Sequence, residues 1–147
     1  MNARETAQAF ADAFNAGDLE KVADYLAEGF QFSGPTPQPL GAAEWLGMTR
    51  ALQAAFPDIQ YNLRILSVEG DKVATTTQVS GTHTGELDLT PMGLGTIPAT
   101  GKRFANPKEY GEATVEGGKV ASIRVEAAEG SGLEGILRQI GVQPPSG

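Results

Sequence analysis

Apolar residues at Ala7, Phe10, Ala11 and Phe14 follow the i, i+3, i+4, i+7 spacing of a helix with one buried stripe. Asn15-Ala16-Gly17 ends that helix, because glycine takes the left-handed conformation without steric cost. Asp18 offers a side-chain cap to a second helix, in which Leu19, Val22, Ala23 and Leu26 repeat the spacing. Phe30-Gln31-Phe32 alternates as a short strand, and the proline-rich stretch from Ser33 to Gly41 reads as a loop. The longest helix is predicted over 42–56, with Trp45, Met48, Leu52, Ala55 and Phe56 on one side and Pro57 just past its end.

Beyond Pro57 the period changes to two. Ile59, Tyr61, Leu63 and Ile65 alternate with polar residues, Glu69-Gly70-Asp71 turns the chain, and 72–83 is rich in Thr and Val, which suit a pleated surface. The stretch 87–101, with Pro91, Gly93, Gly95, Pro98 and Gly101, reads as a long loop of the kind that carries function. Extended chain returns over 104–115, interrupted near Pro107; Glu116-Gly117-Gly118-Lys119 forms a hairpin turn and 120–127 the return strand. A last helix is predicted over 133–140, before a flexible tail at 143–147. Helices first and a meander of strands afterwards mean α+β in one domain, residues 1–142. The physical solution is a strongly curved antiparallel or mixed sheet with the N-terminal helices in its concave face. It leaves a cavity between them, roofed by the long loops.

Composition narrows the partners. A chain of 147 residues with a net charge of −7 offers no dense cationic face, which argues against nucleic acid. It has no cysteine and one histidine, so disulfides and thiolate metal sites are excluded and a catalytic zinc has too few of its usual ligands. Neither an apolar signal core nor a bilayer-length apolar run is present, and a cytoplasmic protein is expected. No phosphate-binding glycine fingerprint and no serine in a nucleophile-elbow context occur.

Two segments carry the candidate chemistry. Gly81-Thr82-His83-Thr84-Gly85-Glu86 puts the histidine where a strand runs into the long loop, and Pro98-Ala99-Thr100-Gly101-Lys102-Arg103 brings the chain back. Loop mouths fed by strands are where small-molecule sites sit. These segments, with Phe14-Asn15-Ala16-Gly17-Asp18-Leu19, Phe56-Pro57-Asp58, Glu69-Gly70-Asp71-Lys72-Val73 and Gly135-Ile136-Leu137-Arg138-Gln139-Ile140-Gly141, resemble in order the SnoaL-like polyketide (ester) cyclase family. The resemblance implies a cone-shaped α+β barrel of the nuclear transport factor 2 type, commonly dimeric through the outer sheet face. It also implies cofactor-free ring closure by intramolecular aldol condensation, in which a pocket carboxylate moves a proton α to a carbonyl. Aligned on Gly118-Lys119-Val120, the family's usual His-Trp pair falls on Ile123 and Arg124, and its usual acids fall near Ala128 and on Gly111.

The candidate catalytic residues are therefore His83, to polarise or position a carbonyl, and Glu109, to serve as base. Glu109 shares the inward side of its strand with Gly111, Ala113 and Val115. The plainer alternatives are a histidine bonded to loop backbone and an exposed glutamate beside Pro107. Phe32, Trp45, Tyr61, Met92 and Phe104 are candidate ligand-binding walls, Trp45 and Tyr61 with polar tips. Phe10 and Phe14 are assigned to the core. The expected partner is a small apolar or carbonyl-containing molecule. Three functional classes follow: a cofactor-free acid–base enzyme, a binding protein of the same fold without the chemistry, and a dimerisation module.

Overall fold

The computed structural model describes residues 2–34, 38–90, 95–126, 130 and 132–142. Helix α1 (Ala3–Asn15) starts on a reciprocal cap: the Asn2 side chain accepts from the Glu5 N–H, and the Glu5 carboxylate accepts from the Asn2 N–H. Gly17, at φ 76°, reverses the chain into α2 (Leu19–Asp24), capped by Asp18. The longer α3 (Ala42–Ala55) follows β1 (Leu26–Ser33) and β2 (Leu40–Gly41). Strands β3 (Arg64–Glu69), β4 (Lys72–Thr77), β5 (Ser80–Thr82), β6 (Leu87–Asp88), β7 (Thr96–Ile97), β8 (Arg103–Ala105), β9 (Glu109–Glu116) and β10 (Lys119–Val125) complete the β structure. Helix α4 (Gly132–Gln139) closes the described chain.

The main sheet has the order β2-β1-β10-β9-β4-β3. It is mixed: β1 runs parallel to β10, and the other neighbours are antiparallel. Register shifts between Leu26 and Gln31, Ile65 and Ser67, and Val120 and Ser122 bend the strands. The sheet curls without closing, and α1 and α3 lie in its concave face as expected. The β4 and β9 strands continue past irregular stretches into the β5–β8 ribbon, joined across the gap by the Asn106 N–H donating to the Val79 carbonyl at 2.8 Å. That arm carries α4 on β8.

One contiguous apolar core results, with aromatic side chains gathered in two places. An aromatic nest fills the space under α1 and α3, where the Trp45 ring lies 5.6 Å from Phe14, 5.3 Å from Phe30 and 5.9 Å from Phe32. A second group under the arm holds Phe56 against Phe104, ring centroids 4.8 Å apart. Leu87, Leu89, Ile136 and Ile140 are also buried.

Three sequence expectations change. Leu26 belongs to β1, not to the second helix, because α2 ends at Asp24. The strand predicted over 59–65 pairs regularly only from Arg64. The loop 87–101 contains the short β6–β7 pair. The tail at 143–147 lies outside the described residues. No described helix is long and apolar enough to cross a membrane.

Candidate functional site

The inward faces of β3, β4, β9 and β10 form cross-strand rows set by their register. Ile65, Thr75, Gly111 and Val125 make one row, and Val73, Ala113 and Ile123 make the next. Between these rows and α1 lies a void of about 30 Å³. Ala7, Phe10 and Ala11 wall it from the helix; Ile65, Val73, Thr75, Ala113, Val120 and Ile123 wall it from the sheet, with Leu63 at its edge. Thr75 is the one polar side chain among the described residues of this wall, and no described hydrogen bond engages its hydroxyl. A void of this size holds little more than a water molecule or two. None of its described wall residues comes from the loop 87–101, so the described part of that loop does not roof it.

Glu109 faces inward, 7% exposed, two residues beyond Gly111 and therefore about 7 Å along β9 from the row that walls the void. Its Oε1 accepts from the Gly132 N–H at 2.7 Å, and its Oε2 accepts from the Thr77 hydroxyl at 3.4 Å. Gly132 opens α4, so the carboxylate sits against the positive end of that helix. The neighbouring polar contacts are also satisfied. Asn106 Nδ2 donates to the Gly132 carbonyl at 3.1 Å, and Gln139 Nε2 donates to Asn106 Oδ1 at 2.8 Å.

His83 stands elsewhere. Thr77 pairs with Glu109 while Thr82 pairs with Arg103, so His83 lies up to about 20 Å further along the same arm. The ring is fully buried, 5.1 Å from that of Phe56, beside the second aromatic group. The Thr100 N–H donates to its Nδ1 at 3.2 Å, and Thr100 Oγ1 lies 2.9 Å from the same nitrogen. With Nδ1 accepting the Thr100 N–H, the neutral ring carries its hydrogen on Nε2, which is buried without a hydrogen-bond partner among the described residues. Burial holds the imidazole below the usual histidine range, and the Gly85 backbone partly offsets this.

The expected wall residues separate in the same way. Phe32, Trp45 and Tyr61 belong to the aromatic nest, where Tyr61 lies 4.2 Å from Phe14. The Tyr61 hydroxyl is buried without a partner among the described residues, and burial raises its pKa well above the usual phenol range. Phe104 belongs to the Phe56 and His83 group, and Met92 lies outside the described residues. Phe10, assigned to the core by its helical spacing, also walls the void. Helical spacing shows that Phe10 points inward but not that the opposite surface falls short of it. Thr75 was open to discovery by its alternation with Val73, yet an inward threonine in a strand is common enough to pass unmarked. Ile123 stands in the void wall, and Gly111 lies in the row beside it. No group of three or more metal-ligating side chains occurs among the described residues.

A family model described as SnoaL-like polyketide cyclase matches residues 4–127. No curated protein sequence matches the chain. Among solved structures, AclR of Streptomyces galilaeus, described as a "putative hydroxylase", superposes with a TM-score of 0.72 at 22% identity, covering 97% of each chain. TsrD of Streptomyces laurentii gives 0.67 at 27% identity over 94% of this chain and 93% of its own. IdmH of Streptomyces antibioticus, described as a "putative polyketide cyclase", gives 0.65 at 27% identity over 85% of this chain and 91% of its own.

Proposed function

Because the chain belongs to the SnoaL-like polyketide cyclase family, we propose that it takes a small, largely apolar carbonyl compound into the hollow between α1 and the sheet and moves a proton there without a cofactor. The observation that carries this reading is Glu109, a carboxylate 7% exposed on the inward face one register step beyond an apolar void. In this reading Glu109 is the base that removes a proton α to the carbonyl and returns it to the new alkoxide. An apolar surround strengthens such a step by excluding water.

The Thr75 and Tyr61 hydroxyls are the donors we assign to ligand oxygens. The first stands alone in an apolar wall, and the second is buried without a partner. A phenol hydroxyl left unpaired in a core costs stability, and a ligand acceptor relieves that cost. Phe32 and Trp45 supply apolar contact, and a ligand larger than a few heavy atoms requires α1 to move off the sheet. We assign His83 to fastening the loop rather than to the substrate. A homodimer through the outer sheet face belongs to the same proposal, supported by exposed Leu66 and Tyr110 there.

A second reading, a binding protein without turnover, is favoured by the absence of any titratable side chain from the described wall of the void. The test is a thermal-shift screen of small aromatic and β-dicarbonyl ketones, followed by product analysis with wild-type and Glu109→Gln protein. Ligand bound to the native state alone raises the melting temperature. Product formed by the wild type and lost in the variant supports the enzyme. Saturable binding with unaltered ligand supports the binder, and no binding at all removes both.

A further inference from the structure

We propose that His83 is a pH-operated latch: its neutral imidazole fastens the Thr100–Gly101 end of the loop to the arm, and protonation in mild acid releases that end. The contact with the Thr100 N–H is specific to one protonation state. Nδ1 accepts the Thr100 N–H at 3.2 Å, while the backbone closes around the same residue through His83 N–H to the Lys102 carbonyl at 2.9 Å and Gly101 N–H to the His83 carbonyl at 2.8 Å. Nε2 already carries its hydrogen, so an added proton must go to Nδ1. There it meets the Thr100 N–H, donor against donor, and that contact is lost; Thr100 Oγ1, 2.9 Å away, is the one acceptor Nδ1–H can turn to, and the charged ring would still lie buried against Phe56 with Nε2 unpartnered among the described residues. Lys102 N–H, which donates to Thr100 Oγ1 at 3.3 Å, is tied to the same residue.

No charged neighbour among the described residues softens this. The Phe56 ring covers the imidazole from the end of α3. The charged residues of the surrounding elements are Asp58 after α3, Glu86 and Asp88 in the loop, and Lys102 and Arg103 on the returning strand; all five are exposed while the ring is not. Asp58 is engaged by the Thr82 N–H at 2.7 Å.

The sign follows from linkage. The fastened state holds the histidine below its ordinary pKa of about 6.5, and the released state restores that value. Above about pH 6.5 both states are neutral and the latch keeps its full strength. Below that pH the released state binds the extra proton, and fastening weakens until the pH reaches the depressed value.

The experiment is amide hydrogen exchange at pH 7.5, 6.5 and 5.5, corrected for intrinsic rates, on wild type and His83→Gln, which keeps an acceptor oxygen but does not titrate. In the wild type, protection at Thr100 and Gly101 should fall about tenfold per pH unit below about 6.5. Val115 and Val120 in the main sheet should keep theirs, and the variant should show no such slope. Nitrogen NMR of the wild-type imidazole at pH 7.5 should find Nδ1 unprotonated. A flat wild-type profile, an equal slope in the variant, or an Nδ1-protonated tautomer overturns the proposal. If the variant does not fold, the wild-type profile and tautomer decide it alone.

Discussion

Replacing Glu109 separates what the carboxylate does for the fold from what it does for chemistry. Its Oε1 takes the Gly132 N–H at 2.7 Å at the start of α4, in a site only 7% exposed, so solvent screens the interaction little. A hydrogen bond to a charged group contributes about 1.5–3 kcal/mol, and a carboxylate at a helix N-terminus about 0.3–1 kcal/mol. Glu109→Ala removes both and leaves a buried N–H without an acceptor, so we expect a loss of about 2–4 kcal/mol. Glu109→Gln keeps an amide oxygen in the acceptor position and should lose about 1 kcal/mol. At this chain length each kcal/mol moves the melting temperature by roughly 3–4 °C, so the two variants should melt about 10 °C and about 4 °C below the wild type. Urea unfolding with two-state analysis gives the free energies, and hydrogen exchange shows whether α4 loosens first. An alanine variant within about 0.5 kcal/mol of the wild type would refute the capping argument. A glutamine variant that stays folded and loses turnover would assign the proton transfer to this residue.

Other expectations follow from single contacts. Tyr61→Phe deletes a buried hydroxyl with no partner, so the ligand-free protein should gain up to about 1 kcal/mol while ligand affinity falls about tenfold, read by thermal shift and calorimetry. A drop in both would mean that the hydroxyl is engaged within the protein. Gly85→Ala places a methyl group 2.2 Å from the Ala54 carbonyl oxygen, where the Thr84 and Gly85 N–H groups both reach the Ala55 carbonyl. The backbone must part, and we expect a loss of about 3 kcal/mol by urea unfolding. Thr75→Val keeps the shape of the wall and removes its one hydroxyl; stability should hold or rise, and affinity for a ketone should fall about tenfold while affinity for a matching hydrocarbon is unchanged.

Where one local rule decided the structure, the sequence was readable. The i, i+3, i+4, i+7 stripe from Ala7 to Phe14 and the glycine after it are α1 and its reversal at Gly17. Period-two reasoning correctly put Glu109, Gly111, Ala113 and Val115 on one face. Competing rules produced the misreadings. Leu26 continues the apolar spacing of α2, but the chain leaves the helix at Tyr25 and enters a strand that Gly29, at φ 82°, bends. Tyr61 and Leu63 alternate inward as a strand would, and backbone pairing holds at Gln60 and Tyr61, but a side chain replaces it at Leu63. Asn15 brackets Leu63, donating to its carbonyl at 3.0 Å and accepting its N–H at 2.9 Å, and Asn62 sits at φ 50° with its amide on the Gln78 carbonyl.

The site was less legible because it depends on distance along paired strands. Both His83 and Glu109 are inward and buried, but only the register of Thr77 with Glu109 and Thr82 with Arg103 shows how far apart they stand. The void likewise collects side chains from α1 and four strands, which no local pattern joins.

Methyl NMR during titration with the tightest ketone from the thermal-shift screen tests the central claim most directly. If the hollow between α1 and the sheet is the binding site, the methyl groups of Ile65, Val73, Val120 and Ile123 shift together and saturate, while those of Leu87 and Ile140, buried outside the described wall of the void, stay in place. Saturating shifts confined to Leu87 and Ile140, or to exposed Leu66 on the outer face, would contradict it.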